Sequence, residues 1–405
     1  MGNVNKLYLF WFMREFFIVG AVTVPFFTQW AGINYAQIFT LQAIFYLVMA
    51  AAQVPTGAFA DRHGRKASLL IGSALGVLGI LLYCSVPNFW VFALAEIIVG
   101  LAFSFIGGAD MALAYESAKK EGKKTSSVFA NSQITYYVAG MLSAPVGSTL
   151  AYALSGMGAE SFRLIMAISA LPVFVAGLVA LSLEEKRGKA RHRHSIAKIS
   201  REGIAAVLKN KYLAVLAADR ALVGASAFFM FWFYQSLLAE HGVSVFWNGP
   251  ASTAFNLVSV CLLAFLGFGL HRRVKEVEGL FGTRNILFGS AVAIGLLYFL
   301  AALSPSIWLA LQAILLIPAM RAVREPVLRD LINCESDDRR RATVNSVADM
   351  ATGALMVVLY PLIGMLADAS LQLALAVLWC LALASAAAAS ALYQKHAPKE
   401  HFFKP

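Results

Sequence analysis

Charged side chains lie inside the long apolar segments of this sequence, and they are the residues best suited to carry chemistry. An ionised group in hydrocarbon is costly unless it is paired or hydrated, so such residues mark proton-transfer or binding sites. Glu96 is the leading candidate, because no cation lies near it in the sequence and a carboxyl in apolar surroundings can carry a proton. The set predicted to carry protons or buried charge is Arg14, Glu15, Glu96, Asp110, Asp219, Arg220, Arg324, Glu325 and Asp349.

Two cross-helix ion pairs are expected, Arg14 with Asp110 and Arg220 with Glu325. A rise of about 1.5 Å per helical residue places the two members of each pair at similar depths in a membrane. Long basic side chains also reach the membrane surface, and ion pairs also serve structure alone. A position at the inner membrane surface therefore stays open for Arg14, Asp219 and Arg220. A purely structural ion pair stays open for Glu325 and Asp349.

The composition predicts an all-α integral membrane protein. The chain has 405 residues, of which 60% are hydrophobic and only 14% charged. A soluble protein could not bury that much apolar surface, and a span needs about 20 mostly apolar residues. Backbone groups in lipid are satisfied by helices or closed barrels, and the segments lack the alternation of barrel strands. Twelve spans are predicted: Leu7–Trp30, Ala36–Ala60, Ala67–Val86, Phe89–Ala114, Val128–Leu154, Phe162–Leu183, Tyr212–Leu238, Ala251–Leu270, Ile286–Leu303, Ile307–Val327, Val344–Leu366 and Leu371–Tyr393.

The basic residues predict the orientation in the membrane. With the N-terminus inside, 28 of the 33 lysines and arginines fall in segments that face the cytoplasm, and one, Arg163, falls in an outer loop. Positively charged loops stay in the cytoplasm, so both termini are expected there. The net charge of +11 therefore reflects membrane topology, and no nucleic-acid partner is expected.

The chain is expected to consist of two pseudo-symmetric six-helix bundles. Residues 1–183 form the first bundle, 184–211 a basic cytoplasmic linker with an amphipathic helix, 212–393 the second bundle, and 394–405 a cytoplasmic tail. Polar and turn residues recur at corresponding places in the two halves, as Asn131-Ser132 with Pro145 and Asn345-Ser346 with Pro361 do. Such repeats are typical of transporters that place their site between the halves.

One short loop carries a specific pattern. The run from Gly57 to Lys66 reads GAFADRHGRK and lies between the second and third predicted spans. It closely resembles the loop signature G-x-x-x-D-R-x-G-R-K of the major facilitator superfamily. The resemblance implies a gate in which Asp61 faces the start of the eleventh helix and Arg65 pairs with Glu116 or Asp110. The gate residues are predicted to be Gly57, Asp61, Arg62, Gly64, Arg65, Lys66 and Glu116.

The resemblance also guides the expected function. Many antiporters of this superfamily carry an arginine in the fourth helix, four residues before a glycine, and here Glu96 stands in that register before Gly100. A fifth-helix signature of exporters is partly kept at Gly140 and Pro145. We therefore expect proton-coupled efflux of small amphipathic or aromatic molecules, with import of a nutrient or siderophore-like solute as the alternative. The predicted cavity residues are Gln133, Tyr137, Phe229, Trp232, Tyr234 and Gln235.

The remaining expectations concern cofactors, catalysis, partners and location. The four cysteines are far apart and form no metal-ligand spacing, so neither a metal nor another cofactor is expected. His63 and His271 lie in basic loops without an acid at a fixed short spacing, which argues against an enzyme. The expected partners are a small-molecule substrate, protons and the lipid bilayer. A monomer in the cytoplasmic (inner) membrane of a prokaryote is expected.

Overall fold

The structure is a computed structural model that describes residues 1–185, 205, 207, 209–272, 283–303, 306–336 and 341–395. Every regular element in this part of the chain is helical, which confirms the all-α prediction. The predicted amphipathic linker helix and the C-terminal tail fall largely outside the described residues.

The structure assigns the following helices within the described residues. In chain order they are α1 Asn3–Glu15, α2 Thr23–Pro25, α3 Tyr35–His63, α4 Arg65–Tyr83, α5 Phe89–Ile106, α6 Ala109–Lys120, α7 Thr125–Ala153, α8 Glu160–Ile168, α9 Ala170–Leu181, α10 Lys211–Phe228, α11 Met230–Glu240, α12 Asn248–Arg272, α13 Thr283–Leu303, α14 Ile307–Cys334, α15 Arg341–Ala369 and α16 Leu371–Lys395.

The chain is a multi-pass membrane protein. Within the described residues, ten helical segments are long and apolar enough to cross a bilayer. Helices α7 and α16 coincide with the predicted fifth and twelfth spans but are outside this set of ten. The number twelve and the cytoplasmic termini therefore stay predictions.

The first predicted span, Leu7–Trp30, is not one continuous helix. Helix α1 ends at Glu15, and a 3-10 turn over Ile18–Val22, the short α2 and a π-helical turn over Phe26–Trp30 follow it. A Cβ atom at Gly147 of α7 would overlap the Ile18 carbonyl, so the irregular backbone packs where α7 has no side chain. The close packing of α7 against this segment therefore requires glycine at that position.

The fourth predicted span, Phe89–Ala114, is also interrupted. Gly107 ends α5 and Gly108 adopts a φ of 81°, which side chains with a Cβ rarely adopt. The interruption places Asp110 in the first turn of α6, close to free backbone N–H groups. Helix α6 then extends to Lys120, so Glu116 lies within it.

Side-chain caps fix the starts of several helices. The Asn34 side chain accepts a hydrogen bond from the Gln37 N–H at 2.9 Å, and Oε1 of Gln37 accepts one from the Asn34 N–H at 3.1 Å, which forms a capping box at the start of α3. The Asn88 side chain accepts hydrogen bonds from N–H groups in the first turn of α5, and the Asn210 side chain does the same for α10. Gly64, with a φ of 104°, ends α3 directly before α4 begins.

Contacts divide the chain into two compact units. The first unit comprises Met1–Arg193, Tyr234–Asn256 and Val357–Asp368, and the second comprises His194–Phe233, Leu257–Met356 and Ala369–Pro405. Each has its own buried core. The first core includes Leu7, Phe10, Trp11, Leu69 and Leu113, and the second includes Leu213, Leu216, Leu287, Leu331 and Ala348. The predicted division into bundles at residues 183 and 212 stays a prediction.

Candidate functional site

The predicted gate residues of the first unit lie where α3 meets α4. Only Gly64 separates the two helices, so the predicted loop over residues 57–66 is wrong and the rest of this run is helical. Arg65 forms an ion pair with Glu116, with 2.5 Å between its Nη1 and Oε1 of Glu116, and donates a further hydrogen bond to the Ala112 carbonyl at 3.2 Å. The structure thus pairs Arg65 with Glu116 on α6 and not with Asp110. Arg62 is exposed, and Lys66 is half-buried.

The start of α4 is bound by a carboxylate that the sequence analysis missed. Glu185 accepts hydrogen bonds from the N–H groups of Arg65 at 2.7 Å and Lys66 at 3.0 Å. A carboxylate is stabilised there by the free N–H groups and the positive end of the helix dipole. The sequence did contain a signal for this contact, because Glu185 follows an apolar segment that ends on the predicted cytoplasmic side, where α4 also begins.

A second missed carboxylate binds the start of α1. Glu121 accepts a hydrogen bond from the Val4 N–H at 2.9 Å and forms an ion pair with Lys123 at 2.9 Å. Burial alone would raise the pKa of Glu121, but the hydrogen bonds from Lys123 and from the α1 backbone outweigh it and hold that pKa below its usual value. Glu121 and Glu185 therefore hold two helix starts at the same end of the first unit.

The environment of Gly57 differs from the expectation. No described atom lies within 4 Å of the position that a Cβ at Gly57 would occupy. The close helix approach predicted at this glycine is therefore not present in this conformation. Gly64 does take the positive φ that the loop pattern predicted.

Glu96 lies on α5 with only 4% of its surface exposed. Its Oε1 accepts a hydrogen bond from the Gln42 amide at 2.7 Å, and it forms no ion pair within the described part of the chain. The Gln42 amide is a neutral partner that the sequence analysis did not predict. Gln42 and Glu96 each lie seven residues into helices that start with Tyr35 and Phe89, and equal depth could have indicated the contact.

Asp110 is the second buried acid of the first unit. It accepts hydrogen bonds from the Trp11 indole N–H at 2.9 Å and from the Met111 N–H at 2.7 Å. Arg14 lies 4.0 Å from Asp110, and its guanidinium stacks over Phe103 at 4.8 Å. The expected Arg14–Asp110 pair thus exists as a long contact, and Trp11 is the nearer partner. The Arg14 guanidinium also lies 3.5 Å from the carboxylate of its neighbour Glu15.

The second unit contains a fully buried ion pair that was not predicted. Arg324 binds Asp219, and each is only 3% exposed. Ser385 donates a hydrogen bond to Asp219 at 3.1 Å, and Arg324 also contacts the Ser290 hydroxyl at 2.7 Å and the Leu287 carbonyl. These bonds connect α10, α13, α14 and α16. Asp219 therefore does not extend to the membrane surface.

Arg220 lies beside this pair and binds two acids. Its guanidinium forms a two-bond contact with Glu325, as predicted, and lies 2.7 Å from Asp349 on α15. Glu325 is also bound by Arg329 at 2.7 Å, one helical turn along α14. Asp349 and Arg220 together therefore join α15 to α10 within the second unit.

Comparison with known proteins gives the family. The family model described as Major Facilitator Superfamily matches residues 7–324. The chain belongs to the Major Facilitator Superfamily. It is therefore a membrane transporter, and members of this family are generally not enzymes. No protein among the curated sequences matches this chain.

Several solved structures share the fold of this transporter. The nucleoside transporter NupG superposes with a TM-score of 0.78 at 15% identity, over 97% of this chain and all of that one. A bacterial homologue of the human lysosomal transporter Spinster gives 0.75 at 15% identity, over 98% of both chains. A D-xylose–proton symporter gives 0.73 at 13% identity, over 95% of both chains. Identities this low establish the fold and leave substrate and direction open.

The predicted cavity residues of the transporter differ in exposure. Gln133 is exposed and Tyr137 half-buried on α7, whereas the four aromatic and amide residues of the seventh span are buried: Phe229, Trp232, Tyr234 and Gln235. Both amide atoms of Gln235 bind backbone of the first span, as its Oε1 accepts from the Val24 N–H and its Nε2 donates to the Gly20 carbonyl. In this conformation Gln235 therefore has no amide atom free for a solute.

Replacing Asp61 by Asn tests the gate of the transporter. Asp61 is exposed, so we expect an unchanged melting temperature. The predicted role places the Asp61 carboxylate at a helix start, where such a group contributes up to about 2 kcal/mol, so we expect initial transport rates to fall about tenfold in liposomes. Glu160→Gln removes an equally exposed acid far from the junction of α3 and α4 and serves as the matched control. Unchanged transport by D61N would contradict the gate role.

Proposed function

We propose that this transporter couples solute movement to a proton gradient and exports small amphipathic or aromatic molecules by alternating access. In this proposal the inner gate is the Arg65–Glu116 region, both termini are cytoplasmic, and the protein acts as a monomer in a prokaryotic inner membrane. Twelve spans in two six-helix bundles would supply the moving halves.

Glu96 is the observation that supports proton coupling. It is buried, its hydrogen-bond donor is a neutral amide, and it forms no ion pair within the described residues. Charging a buried carboxyl without a cation is costly, so its protonation depends on whether water reaches it. A conformational change that opens or closes this region would therefore load or release a proton. The second unit offers less suitable sites, because its buried acid Asp219 is held by Arg324.

Partly exposed aromatic side chains support the proposed solute class. Phe16 and Phe17 at the end of α1 are only partly covered, and so are Phe228 and Phe231 in the seventh predicted span. The rings of Phe228 and Phe231 stack with centroids 5.8 Å apart. Such surfaces suit apolar or aromatic groups of a solute.

The test is transport by the purified protein in liposomes that hold a pH gradient and a trapped pH dye. A panel of lipophilic cations, aromatic acids, sugars and nucleosides is added in turn. Proton movement opposite to an added aromatic or amphipathic compound is the expected result. Absence of any solute-dependent proton movement with this panel would contradict proton coupling.

Import is the second candidate function. The matching structures include a nucleoside transporter and a D-xylose–proton symporter, so nucleosides and sugars are the solutes with which import is tested. Proton movement in the same direction as a nucleoside or sugar would identify the chain as an importer.

A further inference from the structure

Arg321 is an intramembrane cation to which the transport mechanism proposed above gives no role. It lies on α14, which runs from Ile307 to Cys334, so each end of the helix is about 20 Å away at 1.5 Å per residue. Its side chain is exposed. A guanidinium at such depth is tolerated where it faces a water-filled cavity or a counter-ion, and it marks a functional site.

The nearby acids are bound by other arginines. Glu325 lies one helical turn from Arg321, yet its carboxylate is bound by Arg220 and Arg329. Asp349 is also bound by Arg220. No acid among the residues described in the structure forms an ion pair with Arg321. Its positive charge is therefore available to an anion that is not part of the chain.

Aromatic rings hold the guanidinium in place. Arg321 stacks over the Phe228 ring at 5.0 Å from its centroid, and Phe231 stacks on Phe228 at 21° between the ring planes. A guanidinium held on a ring keeps its N–H groups free at the edge, where they can bind a carboxylate with two parallel bonds. The same two rings offer apolar surface beside that edge.

We propose that Arg321 binds the carboxylate of an aromatic organic acid, with Phe228 and Phe231 contacting its ring. This inference rests on the proposed function and names its substrate class. Positive charge and aromatic surface occur together at mid-membrane depth on α10, α11 and α14, which makes the second unit the anion-recognising part of the transporter.

The test uses matched pairs of probes: benzoate, 2-naphthoate and 9-anthroate, each with its neutral amide. Binding to the purified transporter is measured by calorimetry in nanodiscs. Hydrogen bonds to a charged group favour the acid by about tenfold to a hundredfold in Kd. Arg321→Gln should erase this preference and leave the binding of the amides unchanged, while Arg321→Lys should retain part of it.

Lys211→Gln is the control, because it removes an exposed cation at the start of α10, seventeen residues before Phe228, and should keep the preference. Glu96→Gln should also keep it, so a failure of proton coupling is distinguishable from a failure of anion binding. Equal binding of acid and amide by the wild type, no binding of any acid in the panel, or an unchanged preference in R321Q would each overturn the proposal.

An independent observation concerns the end of the first unit at which α3 begins, opposite the junction of α3 and α4. The Asp368 carboxylate at the end of α15 accepts hydrogen bonds from the Tyr35 N–H at 2.7 Å and the Ala36 N–H at 2.9 Å, at the start of α3. The hydroxyl groups of Tyr35 and Ser236 are also hydrogen-bonded. Residues more than 300 positions apart are thus joined by a carboxylate at a helix start.

Two glycines allow the backbones to approach closely at this end. A Cβ at Gly364 of α15 would lie 2.7 Å from the Tyr35 carbonyl oxygen, and one at Gly249 of α12 would lie 2.5 Å from the Ala144 carbonyl oxygen. Neither distance is compatible with a larger residue. The Asn248 amide adds a hydrogen bond to the Ala21 carbonyl at 3.0 Å.

We propose that Asp368 is a second gate, which holds the end of the first unit opposite the junction of α3 and α4 closed. Opening at the Asp368 end requires both of its hydrogen bonds to break.

Spin labels at the exposed residues Met157 and Trp247 measure this opening by pulsed electron resonance in nanodiscs. Asp368→Asn removes the charge and should raise the ratio of long to short distances about tenfold. Gly364→Ala prevents close approach by sterics alone and should act in the same direction, whereas Asp368→Glu should retain most of the closed population. Glu160→Gln is the charge control and should change nothing.

A wild-type distance distribution in both D368N and G364A would overturn the second gate. The readout needs neither substrate nor pH gradient, so its result does not depend on the proposed coupling or direction of transport.

Discussion

Glu96→Gln is expected to abolish transport driven by a pH gradient while solute binding stays intact. Glutamine has nearly the same shape and still accepts the hydrogen bond from Gln42, so the packing of α5 against α3 should not change. It cannot release a proton. In liposomes with a trapped pH dye, solute-dependent proton movement should fall to the level of protein-free vesicles.

Two further variants make this result specific. Asp110→Asn removes the other buried acid of the first unit, whose nearest partner is the Trp11 indole, and should leave proton coupling in place. Solute binding by E96Q, measured by calorimetry, shows that the variant is folded. Coupling that survives in E96Q would move the proton site to Asp110, Glu325 or Asp349.

Arg324→Met is expected to destabilise the protein more than other single substitutions in the second unit. It leaves Asp219 buried, with Ser385 as its remaining described donor. Breaking a buried ion pair on one side costs about 3–5 kcal/mol, because the remaining charge is uncompensated. The free energy of unfolding, measured by titration with a denaturing detergent, should fall by that amount.

The double variant D219L/R324M removes both charges and should recover most of the lost stability, since apolar residues often replace a buried pair without loss. Arg329→Met breaks an exposed pair with Glu325 and should change the free energy by at most about 1 kcal/mol. If R324M were no less stable than R329M, the buried pair would have no special role in stability.

The helical character and the general course of the spans could be predicted, because hydropathy and the bilayer thickness determine them locally. The pairing of Arg220 with Glu325 could also be predicted, because helical rise fixes depth. Asp219 and Arg324 directly precede Arg220 and Glu325 on the same two helices and lie at similar depth. Depth alone does not determine which acid an arginine contacts, because that depends on how each helix is rotated about its axis.

The interruptions of the first and fourth spans could not be predicted from local sequence. The irregular backbone near Ile18 packs against Gly147, which lies far along the chain. Helices also begin where distant groups satisfy their free N–H groups, as Glu185 does for α4 and Asp368 does for α3. Such partners are set by tertiary packing, which hydropathy patterns do not contain.

The acids that follow α9 determine where this chain can be extended without harm. Glu184 exchanges backbone hydrogen bonds with the Asn3 side chain and forms an ion pair with Lys120, while Glu185 binds the start of α4. A reporter protein inserted before Glu184 would separate both acids from α9 and so disturb their contacts with Asn3, Lys120 and the start of α4. One inserted after Glu185 leaves them in place, so a fusion or a split into two co-expressed pieces belongs on the C-terminal side of that residue.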